Sequence, residues 1–245
     1  MYTTYHFHGD LHRLLRQRWR GRQPIALPVT RSASIKDVME SFGLPHTEVD
    51  RITCNGRITD FCQRVEASQR FDIHPIPCPW DTSIPTLLRP KPLPSLRFIV
   101  DVNVGRLARY LRMAGLDTLY DPSWDERRIL REIQKNRCLL LTRNLDLLKR
   151  NQVEFGRYIR ATTPEEQLRE ILELFGGTAA PNPLSRCLEC NTLLQPVRKE
   201  DILHRLEPLT IEYFSLFSLC PHCDKIYWHG THVDRMLQSL HRANT

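Results

Sequence analysis

Residues Phe98–Asp121 read FIVDVNVGRLARYLRMAGLDTLYD. An apolar triplet, Phe98 to Val100, ends abruptly in the carboxylate of Asp101. The next positions, Val104, Leu107, Ala108, Leu111 and Ala114, place apolar side chains every three or four residues, the period of one helix face. Gly115 closes that helix, and a short strand, DTLYD, follows. The alternation then continues. WDERRILREIQKN predicts a helix with Ser123 as its cap, RCLLLTRN a buried strand and LDLLKRN a helix. RYIRATT predicts a further strand, and PEEQLREILELFGG a helix opening at Pro164. Strand–helix repeats of this length specify a parallel α/β sheet. In such sheets the functional crevice lies at the carboxyl ends of the strands.

That rule gives Asp101 a meaning. It follows the first strand directly, Asn144 follows CLLLTR with Asp146 two residues on, and Asp125 and Glu126 open the helix after the second short strand. Carboxylates converging on one crevice repel unless a cation sits between them, and hard oxygens suit Mg²⁺ or Mn²⁺. Such an ion activates water and steadies the leaving oxygen of a phosphodiester. Cations stand nearby: Arg106, Arg109 and Arg112 at three-residue steps along their helix, and Arg143, Lys149 and Arg150 beside the other acids. Acids for metal beside bases for phosphate is the layout of a metal-dependent nuclease. The structural alternative is plain. An Asp after a strand is also a common helix cap, and Arg on an outer helix face is usually solvated.

Of eight cysteines, four form two Cys-x-x-Cys pairs, Cys187 with Cys190 and Cys220 with Cys223. Two such knuckles present four thiolates for tetrahedral Zn²⁺, with 29 residues between them as a long insert in a ribbon. A redox dithiol would need a helix opening at the motif, whereas CPHCDK reads as a tight turn. Four sulfurs leave no open position for water, so this zinc is expected to stabilise rather than catalyse. Among the neighbours, His222, His229 and His232 face solvent or RNA in this reading. Tyr227 and Trp228 either stack on a base or pack on the adjoining domain. Cys54, Cys62, Cys78 and Cys138 are scattered and read as small hydrophobes without a role.

The front of the chain differs in character. PIALPVT reads as a strand, SIKDVMESFGLP as a helix capped by Ser34 and ended by Gly43, EVDRITCNGRI as a strand entering an Asn-Gly hairpin turn, and FDIHPI as a last strand. This order suggests a small β-grasp fold. After it, Pro75–Pro94 holds seven prolines, a density that defeats helix and central strand alike and makes a linker or a strap laid over a neighbour. Net charge is +7, with 13 Lys/Arg against 9 Asp/Glu in residues 1–93. Arg13, Arg16, Arg18, Arg20 and Arg22 crowd into ten residues, a cluster that attracts polyanions unless it is merely a solvated turn. No apolar run reaches the roughly 18 residues of a membrane span, and MYTTYHFHGD lacks a signal-peptide core. A cytoplasmic location without membrane contact is therefore the expectation.

Two resemblances sharpen these readings. SIKDVMESFGLPHTEVDRITCNGR resembles the ubiquitin-like domain related to bacterial sulfur carriers. Those carriers end in an activated Gly-Gly tail, and this segment runs instead into Pro77, Cys78 and Pro79, so it reads as a binding or scaffolding module with a possible protein partner. FIVDVNVGRLARYLRMAGLDTLYD, CLLLTRNLDLLKR and RATTPEEQLREILELF, with the ending KIYWHGTH, resemble the PIN-like ribonuclease family named for the C-terminal portion of the mutator-seven exonuclease. That resemblance spans Leu96 to His241 and implies a PIN-type fold, metal-dependent RNA cleavage, and Asp101, Asp125 and Asp146 as the metal-binding acids. The family usually reads Thr-Arg-Asp where this chain has Thr142-Arg143-Asn144, which removes a charge that Asp146 compensates for in this reading. The expected organisation is mixed α/β: a ubiquitin-like β-grasp domain over 1–78, a proline-rich linker over 79–95, a PIN-like domain over 96–180 and a zinc ribbon over 181–245. The expected function is RNA hydrolysis, with Asn144 and Glu126 assisting the three acids and Arg106, Arg109, Arg143 and Lys149 on the phosphates. The alternatives are an RNA-binding protein with weakened catalysis and a protein-docking adaptor.

Overall fold

The computed structural model describes residues 1–176, 182–228 and 230. Its first sheet is built from β1 (Tyr2–Phe7), β2 (Ile25–Pro28), β3 (Val49–Cys54), β4 (Arg57–Thr59) and β5 (Arg70–Pro75), with helix α1 (Ile35–Phe42) between β2 and β3. The spatial order is β2-β1-β5-β3-β4, with β1 and β5 parallel and the other pairs antiparallel, which is the β-grasp arrangement. Strand β1 lies inside this sheet, between β2 and β5, and was absent from the sequence expectation. Thr3, Tyr5 and Phe7 point inward in alternation, a period-2 pattern that two threonines obscure. Helix α1 forms as expected. Ser34 and Asp37 make a reciprocal capping box, Gly43 ends the helix at φ +106°, and Ile35, Met39 and Phe42 face the sheet. Asn55 and Gly56 both have positive φ, as a two-residue hairpin turn demands.

The proline-rich segment is a strap. Ile76 and Trp80 are buried in the core of the next unit, and the Trp80 ring stacks on Phe155 and Phe175 at centroid distances of 6.0 and 5.9 Å. Further along, Arg89 is buried and donates to the carbonyls of Thr47 (2.8 Å), Val49 (2.9 Å) and Glu154 (3.3 Å). Burial lowers its pKa to about 10, so it stays charged at neutral pH, lying over the Trp80 and Phe155 rings.

The central unit comprises β6 (Arg97–Val100), α2 (Gly105–Met113), β7 (Asp117–Leu119), α3 (Glu126–Asn136), β8 (Leu139–Thr142), α4 (Leu145–Leu148), β9 (Gly156–Tyr158) and α5 (Pro164–Leu174). Its four strands are all parallel in the order β7-β6-β8-β9. Phe98, Val100, Leu139 and Leu141 face α2 and α5, while Ile99 and Leu140 face α3 and α4. Burial on both faces explains why these strands read as unbroken apolar runs. Two local expectations change. Asp125, rather than Ser123, caps α3, and the strand expected across RYIRATT is limited to β9, leaving Arg160 to Thr162 in the loop beyond.

The β-grasp unit docks on the β9 edge. Glu48, fully buried, accepts from Arg157 (2.8 Å), Arg160 (3.1 Å) and the Tyr158 N–H (2.6 Å), and Asp10 pairs with Arg160 at 2.8 Å. After α5 come β10 (Gln195–Val197), the short helices α6 (Lys199–Ile202) and α7 (Pro208–Tyr213), β11 (Phe217–Leu219) and β12 (Ile226–Trp228), whose strands form an antiparallel sheet. No helix among the described residues is long and apolar enough to cross a membrane.

Candidate functional site

Asp101 leaves β6 at the carboxyl edge of the parallel sheet, where its side chain is almost wholly buried. Its oxygens accept from the Val102 N–H (2.7 Å), the Asn103 amide (2.6 Å) and the Thr142 hydroxyl (2.6 Å). A carboxylate offers about four lone-pair sites, so these three donors fix its orientation and leave one acceptor position. Thr142 also accepts from the Asn144 N–H at 2.9 Å, and the Asn103 carbonyl oxygen accepts from the Arg143 N–H at 2.9 Å. The ends of β6 and β8 are thus stitched together around one acid. Asn103 was not singled out in the sequence, although its place two residues after Asp101 puts it within reach.

The other expected acids are occupied separately. Asp125 caps α3 by accepting from the Arg128 N–H at 2.7 Å. Glu126 pairs with Arg150 at 2.6 Å. Exposed Asp146 pairs with Lys149 at 2.9 Å, a hydrogen bond that, with Arg16 and Arg150 adding their charge, holds its carboxyl below the usual range. The amide oxygen of Asn144 caps α4, accepting from the N–H groups of Asp146 and Leu147. Among the described residues, no three His, Cys, Asp or Glu ligand atoms apart from the cysteine cluster lie within 4.8 Å of one another. The structure therefore brings Asp101 next to Asn103 and Thr142, and does not gather Asp101, Asp125 and Asp146 into a ready-made cage.

The expected phosphate-binding cations also divide. Arg106 and Arg109 are exposed on α2, and no side-chain hydrogen bond or ion pair engages either among the described residues. Arg143 spends one N–H on the Ala161 carbonyl at 2.8 Å, and Lys149 is tied to Asp146. Arg112, third in the arginine row, is buried and donates to the carbonyls of Thr118, Tyr120, Leu188 and Glu189. Burial pulls its pKa down, and its work is structural. An open crevice of about 350 Å³ lies at this edge, lined by Asn103, Arg106, Tyr120, Thr162 and Gln167 among others. Gly105, also in its lining, lets the Tyr120 phenol lie against the backbone, where a Cβ would collide with it.

Sulfur chemistry occupies a second place. The Sγ atoms of Cys187, Cys190, Cys220 and Cys223 lie within 4.8 Å of one another. Tetrahedral coordination at a metal–sulfur distance of about 2.3 Å requires sulfur separations near 3.8 Å. The observed contacts are 3.3 Å (Cys187–Cys223), 3.4 Å (Cys190–Cys220) and 3.8 Å (Cys190–Cys223), so the donor set fits one thiophilic ion. Burial raises the Cys187 thiol, but the Tyr227 hydroxyl and the N–H groups of Cys190 and Glu189 outweigh it and bring the pKa to about 6. Tyr227 is thereby engaged with Cys187 and the Leu188 N–H, while Trp228 packs on Phe214 and Phe217. His222 is exposed, and His229 and His232 lie outside the described residues. The first knuckle is bolted to the β7 edge: Asn191 donates to Asp117 (2.8 Å) and accepts from the Thr118 N–H (3.0 Å).

A β-grasp unit, a parallel α/β sheet with an arginine-lined crevice at its carboxyl edge, and a four-thiolate knuckle together define a modular α/β protein built around a polar site. Comparison with known families makes this specific. The Mut7-C RNAse domain matches residues 96–240, and the Mut7-C ubiquitin domain matches residues 1–81. The chain belongs to the Mut7-C RNAse domain family, and its central unit is of ribonuclease type. No curated protein and no solved structure matches it.

Proposed function

We propose that this protein is a divalent-metal-dependent ribonuclease that hydrolyses RNA phosphodiester bonds at the crevice beside Asp101. The observation that carries the reading is the placement of Asp101: a buried carboxylate at the carboxyl edge of a parallel sheet, oriented by three donors, with one acceptor position unspent. In this reading Asp101 would hold a Mg²⁺ or Mn²⁺ ion, which would supply Lewis acidity and lower the pKa of water. Arg106 holds the scissile phosphate from the crevice wall, Arg109 and Arg143 hold its neighbours, and Asn103 fixes the Asp101 rotamer. Asp146, which pairs with Lys149, and Asp125, which caps α3, would be the further acids holding that ion. Glu126 balances Arg150. The four thiolates hold structural Zn²⁺. Residues 1–78 dock on the sheet, 79–95 strap the two units, 96–180 carry the cleavage, and the zinc ribbon of 181–245 braces the β7 edge through Asn191.

One observation favours a second reading. The Asn144 amide oxygen, which would replace the acid usual at that position, is committed to capping α4, and a non-catalytic RNA-binding protein would have this character. A labelled single-stranded RNA incubated with Mn²⁺ and either wild type or Asp101→Ala separates the two. Cleavage by the wild type, reduced at least a hundredfold in the variant, supports the enzyme. Binding without cleavage by either supports the second reading, and equal cleavage by both overturns the assignment to Asp101.

A further inference from the structure

The arginine cluster at the front of the chain is built rigidly rather than as a solvated tail. It rides on two short 3-10 turns, Gly9–Arg13 and Gln17–Trp19, that bury Leu11, Leu14 and Leu15 and so turn Arg13, Arg16, Arg18, Arg20 and Arg22 outward. The Arg16 N–H is fixed to the Phe42 carbonyl (2.8 Å), Arg20 Nε donates to the Leu15 carbonyl (2.8 Å), and Arg18 lies over the Trp19 ring. Asp10, the one acid in this stretch, is neutralised by Arg160.

Two contacts set this platform beside the crevice edge. Leu145, between Asn144 and Asp146, packs on the β-grasp core. Arg160, which pairs with Asp10, stands just beyond β9. Four strands at about 4.8 Å spacing span roughly 15 Å. A chain lying in the crevice at β6 and β7 therefore reaches the platform after crossing β8 and β9.

We propose that the arginine turns of the ubiquitin-like unit are the second half of the substrate surface, gripping the backbone of single-stranded RNA that continues from the crevice at Arg106. The inference rests on the ribonuclease reading for its direction along the sheet. Single-stranded RNA fits because a cluster of exposed arginines tracks a phosphate backbone without needing to read its sequence.

Binding of a labelled 20-nucleotide polyuridine, followed by fluorescence anisotropy across KCl concentrations without added divalent ion, tests it in the full-length Asp101→Ala chain. Arg16, Arg18 and Arg22 are replaced together by Gln. The control replaces exposed Arg31, Arg57 and Arg64, which share the unit and the charge change. Arg31 and Arg64 lie toward the Ser34 end of α1 and Arg57 in the edge hairpin, whereas the platform abuts Phe42. Each lost phosphate contact on a single strand removes about 0.7 from the slope of log K against log salt. The platform variant should bind at least tenfold more weakly at low salt with a slope shallower by about 2, while the control stays within twofold and both melt like the parent. A platform variant that binds like the control overturns the proposal, and so does a parent that ignores RNA, whether or not it takes poly-glutamate. Loss of binding in the platform variant, together with wild type that cleaves nothing in Mn²⁺, would uphold this inference and defeat the nuclease reading.

Discussion

Thr142 shows how much one hydroxyl holds in place. It is fully buried, donates to Asp101 and accepts from the Asn144 N–H. Thr142→Val keeps the shape and leaves both partners short of a bond, so urea unfolding should show a loss of about 1–3 kcal/mol. RNA cleavage should fall with it, as Asp101 loses a donor that orients it. Asn144 separates two roles in one side chain. Asn144→Ala removes the α4 cap and should cost about 1 kcal/mol in the same measurement. Asn144→Asp keeps a capping oxygen and adds a charge, so cleavage at limiting Mn²⁺ should rise with stability nearly unchanged. No gain would show that position 144 is a cap alone. Sequence made Asp101 conspicuous, because an acid ending an apolar run has few meanings. It could not show that Asp125 and Asn144 cap helices, since a cap and a metal ligand are the same residue type until the neighbouring N–H groups are placed.

At the scale of elements, the α2 arginines illustrate what periodicity cannot decide. Arg106, Arg109 and Arg112 are equally spaced, yet Arg112 turns inward because the thiolate knuckle supplies carbonyls that bury it. Arg112→Met should therefore destabilise by about 2–3 kcal/mol and loosen the knuckle, seen as faster amide exchange across residues 187–191, without the salt-slope change expected from a phosphate contact. The capping box of α1 has its own pH signature. Hydrogen bonding from Ser34 holds the Asp37 carboxyl below its ordinary value, with the charges of Lys36 and Arg31 adding to it. Its contribution to stability is therefore present above the unfolded value and lost as pH falls through the folded one. Denaturation of wild type and Asp37→Asn across pH should show a gap at neutrality that closes in acid. Helix α1 and its two ends were legible because Ser34 and Gly43 act locally. Strand β1 was not, because its place inside the sheet depends on pairing with β5, more than sixty residues away.

Across the whole molecule, both edges of the parallel sheet are closed by other units: β9 by the ubiquitin-like unit through Glu48, and β7 by the knuckle through Asn191. Such covering removes the exposed edges that invite aggregation. The strap fastens the first seam with Trp80 and Arg89. Trp80→Ala should cost about 3–5 kcal/mol, measured by urea unfolding. It should also split thermal unfolding into separate transitions for the two units. The proline density announced a linker or a strap without deciding between them, because the anchors are tertiary and nothing in the segment itself says which core receives Trp80. The most direct test of the catalytic assignment is anomalous diffraction from a crystal soaked in Mn²⁺. The account predicts a peak within coordination distance of an Asp101 carboxylate oxygen, with Asp146 turned away from Lys149 toward it. Manganese confined to other places, at a concentration that supports RNA cleavage in solution, would contradict it.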